Sequence, residues 1–272
     1  MYVETTYRWE TEAYTCHLAE KITDACESGG LLSSRSQGKP LRILDLCTGT
    51  GCIALLLYHM LWRKFPKLEI LGIDVSSEAV RLSKTNLEAN LMSGVLGPAG
   101  SHGLSFVQHD IFATSFDRTA LTRKWDIIIS NPPYISPKQF NTVTSSSVRR
   151  FEPKLALVPD IERTTPHSSD ETPSDAQIGD AFYSRLLEIT AKSGAGIALF
   201  EVGDMAQAQR VAGEALGMNL WESVTIWRDQ PGLENGLSEV VSPQGKKVAV
   251  TGHGNARAVV LCRDDGWNRV LS

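Results

Sequence analysis

The chain contains 272 residues, of which 42% are hydrophobic and 21% are charged, and it carries a formal net charge of −4. This size and apolar content predict one substantial α/β domain with a buried core, with room for a second small domain. The negative charge argues against a protein that holds nucleic acid mainly by neutralising phosphate groups, although a local basic patch would be hidden in the total.

Cysteines and histidines give no metal-binding pattern. The five cysteines are scattered without a C-x-x-C pair, and the six histidines lack the spacing that places two ligands on one helix face. We therefore predict a reducing environment and no metal site. The sequence also has no long apolar run, and its first residues resemble neither a signal peptide nor a transit peptide, so we expect a soluble chain.

The first predicted elements are a helix, a linker and a strand. Residues 8–28 carry apolar side chains at helical spacing, and a polar linker precedes the short apolar strand 41–46. A glycine-containing turn at 47–51 then leads into an apolar helix over 52–61, which is the first half of a β-α-β unit. We therefore predict an N-terminal helix and linker over residues 1–40, followed by a single larger unit over 41–272.

Three more strands follow at 68–73, 104–108 and 125–130, with a capped helix from Ser76 or Ser77 to about Leu91 between the first two. Each strand ends in a polar or glycine-rich turn. An open parallel sheet presents such turns to a ligand at the carboxyl edge of its strands. We therefore expect a binding site at that edge.

The second half of the chain has two stretches without periodicity. Residues from about 136 to 177 include an acidic Pro/Ser/Thr tract, and residues 228–255 are also irregular. Between and after them, the pattern predicts helices over 178–192 and 205–216 and strands over 196–202, 221–227 and 256–262. The resulting fold is a mostly parallel seven-stranded sheet with helices on both faces and two irregular insertions.

A cofactor motif occupies the first turn. Residues Gly49 to Ala54 satisfy G-x-G-x-x-A, and Asp74 follows at about the spacing of an acid that receives ribose hydroxyl groups. The glycines let the backbone approach a ligand at the start of a helix. Taken alone, the motif permits NAD, FAD or S-adenosylmethionine, and a plain tight turn with an exposed aspartate is the structural alternative.

Two aspartates at strand ends bear on the choice of cofactor. Asp45 would place a negative charge beside a bound pyrophosphate, but it can attract the ammonium and sulfonium groups of S-adenosylmethionine. Asp110 is placed to accept a hydrogen bond from an adenine amino group. Asp45 therefore favours a cationic methyl donor as the cofactor, and Asp110 is compatible with one.

The segment Asn131-Pro132-Pro133-Tyr134 leaves the strand 125–130 in an unusual way. The Asn131 side-chain oxygen and the Pro132 carbonyl can each accept one N–H of an NH2 group, while Tyr134 offers a flat face and the prolines stiffen the backbone. Such a site orients an amide or amine nitrogen toward a methyl donor by positioning and electrostatics, without a general base in the motif. These four residues form the acceptor motif. A structural turn is the alternative reading.

The order of these segments resembles the HemK/PrmC family of protein-glutamine N5-methyltransferases. The resemblance is carried by residues 8–12, by 45–53, by Asp74, by the acceptor motif and by residues 150–153. It implies a Rossmann-like class I methyltransferase over 41–272 that methylates the glutamine of the Gly-Gly-Gln motif in a peptide-chain release factor. It also implies S-adenosylmethionine as cofactor, and no metal, no membrane and no nucleic acid as direct partners.

The resemblance implies a role for each matched residue. Cofactor contacts are expected from Asp45, Cys47, Thr48, Gly49, Thr50, Gly51, Asp74, Asp110, Ile111 and Asn131. Asn131, Pro132 and Tyr134 would be catalytic, and with Pro133 they would line the substrate slot. The family often has glycine at the position of Cys47 and an aromatic residue at that of Ile111, so adenine packing would be weaker here.

The family normally carries a helical N-terminal domain, of which residues 1–40 would be a remnant. The long insertions and the form of the first two motifs resemble fungal mitochondrial members, which implies a mitochondrial release factor and a mitochondrial location, with a cytoplasmic location as the alternative. We also expect a monomer. Two alternatives stay open: an N6-adenine methyltransferase acting on DNA or RNA, which can share the Asn-Pro-Pro-Tyr motif, and a non-catalytic subunit with the same fold.

Overall fold

A computed structural model describes residues 9–28, 32–97, 103–164, 173–233 and 238–271. The strands are β1 Leu41–Leu46, β2 Leu68–Asp74, β3 Leu104–Gln108, β4 Ile127–Ser130, β5 Ile197–Glu201, β6 Ser223–Gln230, β7 Ser238–Val241, β8 Lys247–Thr251 and β9 His253–Cys262. They form one sheet of nine strands in the order β3-β2-β1-β4-β5-β9-β6-β8-β7.

The longer helices are α1 Trp9–Glu27, α3 Cys52–Leu61, α4 Ser77–Met92, α10 Tyr183–Ser193 and α11 Met205–Gly217. The shorter ones are α2 Ser33–Ser36, α5 Phe116–Ala120, α6 Pro137–Thr142, α7 Ser146–Phe151, α8 Ile161–Thr164, α9 Asp175–Asp180 and α12 Asp265–Leu271. A 3-10 turn spans Lys154–Ala156.

Helices cover both faces of the sheet because the strands alternate between two apolar cores. In β1, Ile43 belongs to the first core, which is formed with α1 and α3, whereas Leu44 belongs to the second core, which is formed with α10 and α11. Successive side chains of a strand point to opposite faces, so a strand buried on both sides reads as a continuous apolar run. The predicted α/β architecture with helices on both faces is confirmed.

The predicted strand number is wrong. The strands β3, β2, β1, β4 and β5 are parallel, and β9 runs antiparallel between β5 and β6. Two further strands, β7 and β8, lie beyond β6 within the stretch that the sequence predicts to be irregular. The residues of β7 are mostly exposed at the sheet edge, so they lack the apolar pattern that marks an interior strand.

The stretch 136–177 contains short helices in its described part. Ser136 and Ser174 each cap one of them through a capping box with the glutamine three residues later. Neither α6 nor α7 has a buried residue, so no apolar periodicity marks them in the sequence. Part of the acidic tract, residues 165–172, lies outside the described residues, as does Arg8.

Helix α1 packs across the first core through Tyr14, Leu18 and Ile22, all of them fully buried. It contacts α3, α12 and β6. Its first turn lies outside this core, since Trp9 is exposed, but the Thr11 hydroxyl in that turn donates to Glu201 of β5 at 2.8 Å.

Candidate functional site

The carboxyl ends of three strands bring the main predicted site residues to one edge of the sheet. Leu46 in β1 pairs with Ile73 in β2 on one side and with Ser130 in β4 on the other. The next residues along these strands are Cys47, Asp74 and Asn131. The glycine turn, the ribose-binding candidate and the acceptor motif are therefore neighbours in space, as the parallel topology predicts.

The glycine turn depends on left-handed backbone at three positions. Cys47, Gly49 and Gly51 have φ angles of 59°, 56° and 84°. A Cβ atom on Gly51 would lie 2.7 Å from the Phe106 ring, so this position has no room for a side chain. Cys47 adopts a conformation that glycine reaches without strain, which fits the glycine often found there in the family.

Asp74 supports the turn through both of its carboxylate oxygens. Oδ2 accepts a hydrogen bond from the Gly49 backbone N–H at 2.8 Å, and Oδ1 accepts one from the Ser76 N–H at 2.9 Å. A carboxylate has about four lone-pair positions, so each oxygen keeps capacity for one further donor. Asp74 can therefore still receive ribose hydroxyl groups, from a geometry that the backbone has already fixed.

Asp45 is fully buried at the end of β1. Its Oδ2 accepts a hydrogen bond from the Thr48 hydroxyl at 2.6 Å, while Oδ1 has no hydrogen-bond partner among the described residues. Burial raises the pKa of Asp45 to about 7, and the negative charge of Asp74 acts in the same direction. A cation bound nearby would lower this pKa and satisfy the free oxygen, so the residue suits the ammonium end of an amino-acid ligand.

Asp110 and Ile111 follow β3 at the same edge. The Asp110 carboxylate accepts a hydrogen bond from the Phe112 N–H at 2.9 Å, which holds the loop after the strand. Ile111 is buried in the second core, and its carbonyl accepts a hydrogen bond from Arg185 at 2.8 Å. The roles predicted for these two residues with adenine stay predictions.

The acceptor motif combines a free amide with a firmly packed backbone. Asn131 is half-buried, and its side chain makes no hydrogen bond within the part of the chain that the structure describes. Pro132, Pro133 and Tyr134 are buried behind it. Ser130, the residue before Asn131, donates its hydroxyl to the Leu46 carbonyl at 2.8 Å and so links the start of the motif to β1.

Two buried side chains that the sequence reasoning missed support Tyr134. Its hydroxyl donates to Glu201 Oε1 at 3.0 Å, and its carbonyl accepts a hydrogen bond from Gln207 Nε2 at 3.2 Å. Gln207 Oε1 in turn accepts from the Gly203 N–H at 2.8 Å. A carboxylate that ends an otherwise apolar strand, as Glu201 does in β5, is the sequence signal that could have identified the first of them.

A polar pocket lies just beyond the acceptor motif. It is lined by Ser136, Gln139, Asp175, Ala176, Gly179, Asp204, Gln207 and Arg210. None of the predicted site residues lines this pocket. It sits between the short helices α6 and α9 and the start of α11, so it belongs to the support of the motif and not to the cofactor turn.

Among the described residues, no cluster of three or more histidine, cysteine or acidic side chains could hold a metal ion. Within the same ranges, no helix is long and apolar enough to cross a membrane.

The chain matches known methyltransferases. Residues 28–152 match the family model of the methyltransferase small domain. The chain is 35% identical over 155 residues to the mitochondrial MRF1 N(5)-glutamine methyltransferase MTQ1 of Saccharomyces cerevisiae, a match that covers 57% of this chain and 43% of the relative. It is 33% identical over 227 residues to the release factor glutamine methyltransferase of Nitratidesulfovibrio vulgaris, covering 84% and 62% respectively.

A solved structure of the human methyltransferase 10 domain containing protein superposes with a TM-score of 0.50 at 16% identity, covering 94% of this chain and 83% of that chain. The fold is that of a Rossmann-like class I methyltransferase, with nine strands in the described sheet. The chain spans about half the length of the curated relatives it matches.

These matches confirm the resemblance predicted from the motifs. The chain matches the methyltransferase small domain over residues 28–152 and is similar to release factor glutamine methyltransferases, including those of fungal mitochondria, at about 35% identity.

Proposed function

We propose that this chain transfers a methyl group from S-adenosylmethionine to the side-chain amide nitrogen of the glutamine in the Gly-Gly-Gln motif of a peptide-chain release factor. The observation that carries the proposal is Asn131, a half-buried amide with no hydrogen bond to the described protein, beside a glycine turn of methyltransferase type. The similarity to release factor glutamine methyltransferases supplies the substrate class.

The residues at the sheet edge fit the cofactor. The free Oδ1 of Asp45 offers an acceptor to an ammonium group, and the remaining lone pairs of Asp74 offer acceptors to ribose hydroxyl groups. No atom of the described residues, apart from the chain neighbours of Gly49, lies within 4 Å of a Cβ atom built on Gly49, so a ligand can approach the backbone of the turn there. Cys47, Thr48, Gly49 and Thr50 would complete the contacts, with Asp110 and Ile111 on the adenine side. When bound, S-adenosylmethionine supplies the methyl group.

The acceptor motif would orient the glutamine amide. The nitrogen lone pair of an amide is delocalised into its carbonyl, so the NH2 group needs to be aimed and made richer in electrons. The Asn131 side-chain oxygen and the Pro132 carbonyl would each accept one N–H, while Pro133 and Tyr134 line the slot. Positioning of this kind accounts for much of the catalysis in reactions where no strong base is required.

We propose a mitochondrial release factor as the partner and a mitochondrial location, because fungal mitochondrial enzymes are among the relatives at 35% identity. Residues 41–272 would form the methyltransferase domain, preceded by the helix and linker over 1–40. The residues proposed for both substrates lie in one chain, which supports a monomer. Methylation rates with mitochondrial and cytosolic release factors would test the partner, and sedimentation would test the monomer.

The central experiment offers the full chain labelled S-adenosylmethionine with a Gly-Gly-Gln release factor and, in separate reactions, adenine-containing DNA and RNA. Mass spectrometry then locates the methyl group. We expect methylation of the glutamine, and a fall of about 100- to 1,000-fold in rate for Asn131→Ala. The matched control is Asn90→Ala, which removes an amide near the end of α4, away from the site. Methylated nucleic acid with an unmodified release factor would contradict the proposal.

A further inference from the structure

A buried carboxylate gathers three hydroxyl groups next to the acceptor motif. Glu201 is fully buried at the end of β5. Its Oε1 accepts the Tyr134 hydroxyl at 3.0 Å, and its Oε2 accepts the hydroxyls of Tyr14 at 2.7 Å and Thr11 at 2.8 Å. One donor belongs to the acceptor motif and the other two belong to the first turns of α1.

The position of Glu201 follows from the sheet register. Ser130, which precedes the acceptor motif, pairs with Phe200 in β5, so Glu201 is the residue beside the start of the motif. On its other side Glu201 pairs with Ala258 in β9, next to Arg257. The Arg257 guanidinium pairs with Asp229 at 2.9 Å and approaches Glu10 of α1 at 4.0 Å. The carboxylate is therefore enclosed by α1, the motif and β9.

A fold that needed only packing at this position would be better served by an apolar side chain. Removing a carboxylate from water is costly, and hydrogen bonds recover that cost only when their geometry is good. Here three hydroxyl donors meet one carboxylate, and the two oxygens divide them between the motif and α1. The Glu201 carboxylate therefore holds the Tyr134 hydroxyl in one orientation. That orientation depends on α1, because Thr11 and Tyr14 hold the other oxygen of the carboxylate.

We propose that Glu201 is a positioning residue for methyl transfer, which holds the Tyr134 hydroxyl and thereby fixes the acceptor motif relative to the first turns of α1. Thr11 and Tyr14 act on the same slot through Glu201 without touching a substrate. The kinetic part of this inference rests on the proposed function.

The kinetic test compares Glu201→Gln, Tyr134→Phe and the double variant. We expect each single change to lower kcat about 10- to 100-fold, because a small displacement of a substrate-positioning group has effects of this size. The KM for S-adenosylmethionine should stay within about twofold, since the cofactor turn is held by other contacts. The double variant should be no slower than the slower single variant, as expected for residues that act as a unit.

Thr11→Val tests the reach of the coupling into α1. It removes one of the two hydroxyls on Oε2 while keeping the shape of the side chain. We expect kcat to fall about threefold in the wild-type background and to stay unchanged in the Tyr134→Phe background, where the link to the motif is already lost.

Tyr183→Phe is the matched control. The Tyr183 hydroxyl is buried and donates to the backbone carbonyl of Glu201 at 2.8 Å, so the change removes a similar hydrogen bond that does not involve the carboxylate. We expect a thermal midpoint lowered as much as in Tyr134→Phe, with kcat within about twofold of wild type. An unchanged kcat in folded Glu201→Gln, or kcat losses that multiply in the double variant, would overturn the inference.

A spectroscopic measurement separates this inference from the proposed function. The chain has six tyrosines, so fluorotyrosine labelling gives few 19F NMR signals, and Tyr134→Phe identifies one of them. We expect this signal to shift in Thr11→Val and in Glu201→Gln but not in Thr190→Val, whose hydroxyl donates to the Leu186 carbonyl within α10. If the wild-type protein methylates no release factor, the proposed function fails. If the Tyr134 signal does not shift in Thr11→Val, the positioning role is refuted, whatever the result of the methylation assay. If Glu201→Gln does not fold, Thr11→Val still provides the NMR test of the positioning role.

Discussion

The glycine turn at 47–51 and the acceptor motif at 131–134 leave neighbouring strands of one sheet, but different contacts hold them. The turn is fixed by backbone geometry: left-handed φ at Gly49 and Gly51, and one N–H bound by Asp74. The acceptor motif is fixed by side chains from distant parts of the sequence, chiefly Glu201, which is 67 positions from Tyr134. Cofactor binding should therefore respond to changes of local conformation, and methyl transfer to changes far away in the chain.

The largest effect on the turn side should come from Gly51→Val. The φ of 84° is unfavourable for any side chain by about 1–2 kcal/mol, and a branched one worse, while a Cβ would lie 2.7 Å from the Phe106 ring. We expect S-adenosylmethionine affinity, measured by calorimetry, to fall more than about 100-fold, with a lowered thermal midpoint. Gly217→Val is the control for a glycine with no atom near its Cβ direction. Unchanged affinity would show that the turn tolerates a different conformation.

Asp74→Ala should have the next largest effect. It removes the acceptor of the Gly49 and Ser76 backbone N–H groups, and a hydrogen bond to a charged group is worth about 1.5–3 kcal/mol. We expect S-adenosylmethionine affinity to fall about 10- to 100-fold. Asp74→Asn should recover part of it, because the amide oxygen can still accept one N–H. A lower kcat with unchanged S-adenosylmethionine affinity would contradict the view that the glycine turn governs cofactor binding separately from the acceptor motif.

Asp45 predicts a pH dependence on the turn side. Burial raises its pKa from 3.8 to about 7, so between these values the folded protein binds a proton that the unfolded chain does not. The resulting stabilisation is present at low pH and is lost as pH rises from about 4 to 7, by about 1.4 kcal/mol per pH unit. Asp45→Asn should remove this slope from thermal unfolding of the ligand-free protein.

The same titration should act on ligand binding in the opposite sense. Ionised Asp45 attracts the ammonium group, so wild-type affinity for S-adenosylmethionine should rise as pH increases through about 7. We expect the Asp45→Asn affinity to be flatter over this range. Equal pH profiles for the two proteins would remove Asp45 from the cofactor contacts.

Ser130→Ala should have the smallest effect, and it should affect both the glycine turn and the acceptor motif. Its hydroxyl donates to the Leu46 carbonyl at 2.8 Å and so joins the strand before the acceptor motif to the strand before the turn. Loss of one buried hydrogen bond costs about 1 kcal/mol of unfolding free energy. We expect denaturant titration to show that loss, with affinity and kcat each changed less than about fivefold.

The same contrast explains what the sequence could predict. The strands β1 and β2, the turn and α3 follow from local periodicity and glycine placement, so their bounds agree closely with the structure. The β7–β8 hairpin was not predicted because its edge strand is exposed and carries no apolar pattern. A carboxylate at the end of an apolar strand marks Glu201 as unusual, but its partners Thr11, Tyr14 and Tyr134 are 190, 187 and 67 positions away, so no local pattern predicts its contacts.

Cys47 has a further consequence for the chemistry of the turn. A thiolate beside a sulfonium methyl donor would itself be methylated, because the thiolate is the nucleophilic form of cysteine. Burial raises the pKa of the Cys47 thiol well above its usual value, and the negative charge of Asp74 adds to the rise. This direction favours the protonated thiol at neutral pH, so under the proposed function the turn can carry a cysteine beside the methyl donor without being methylated itself.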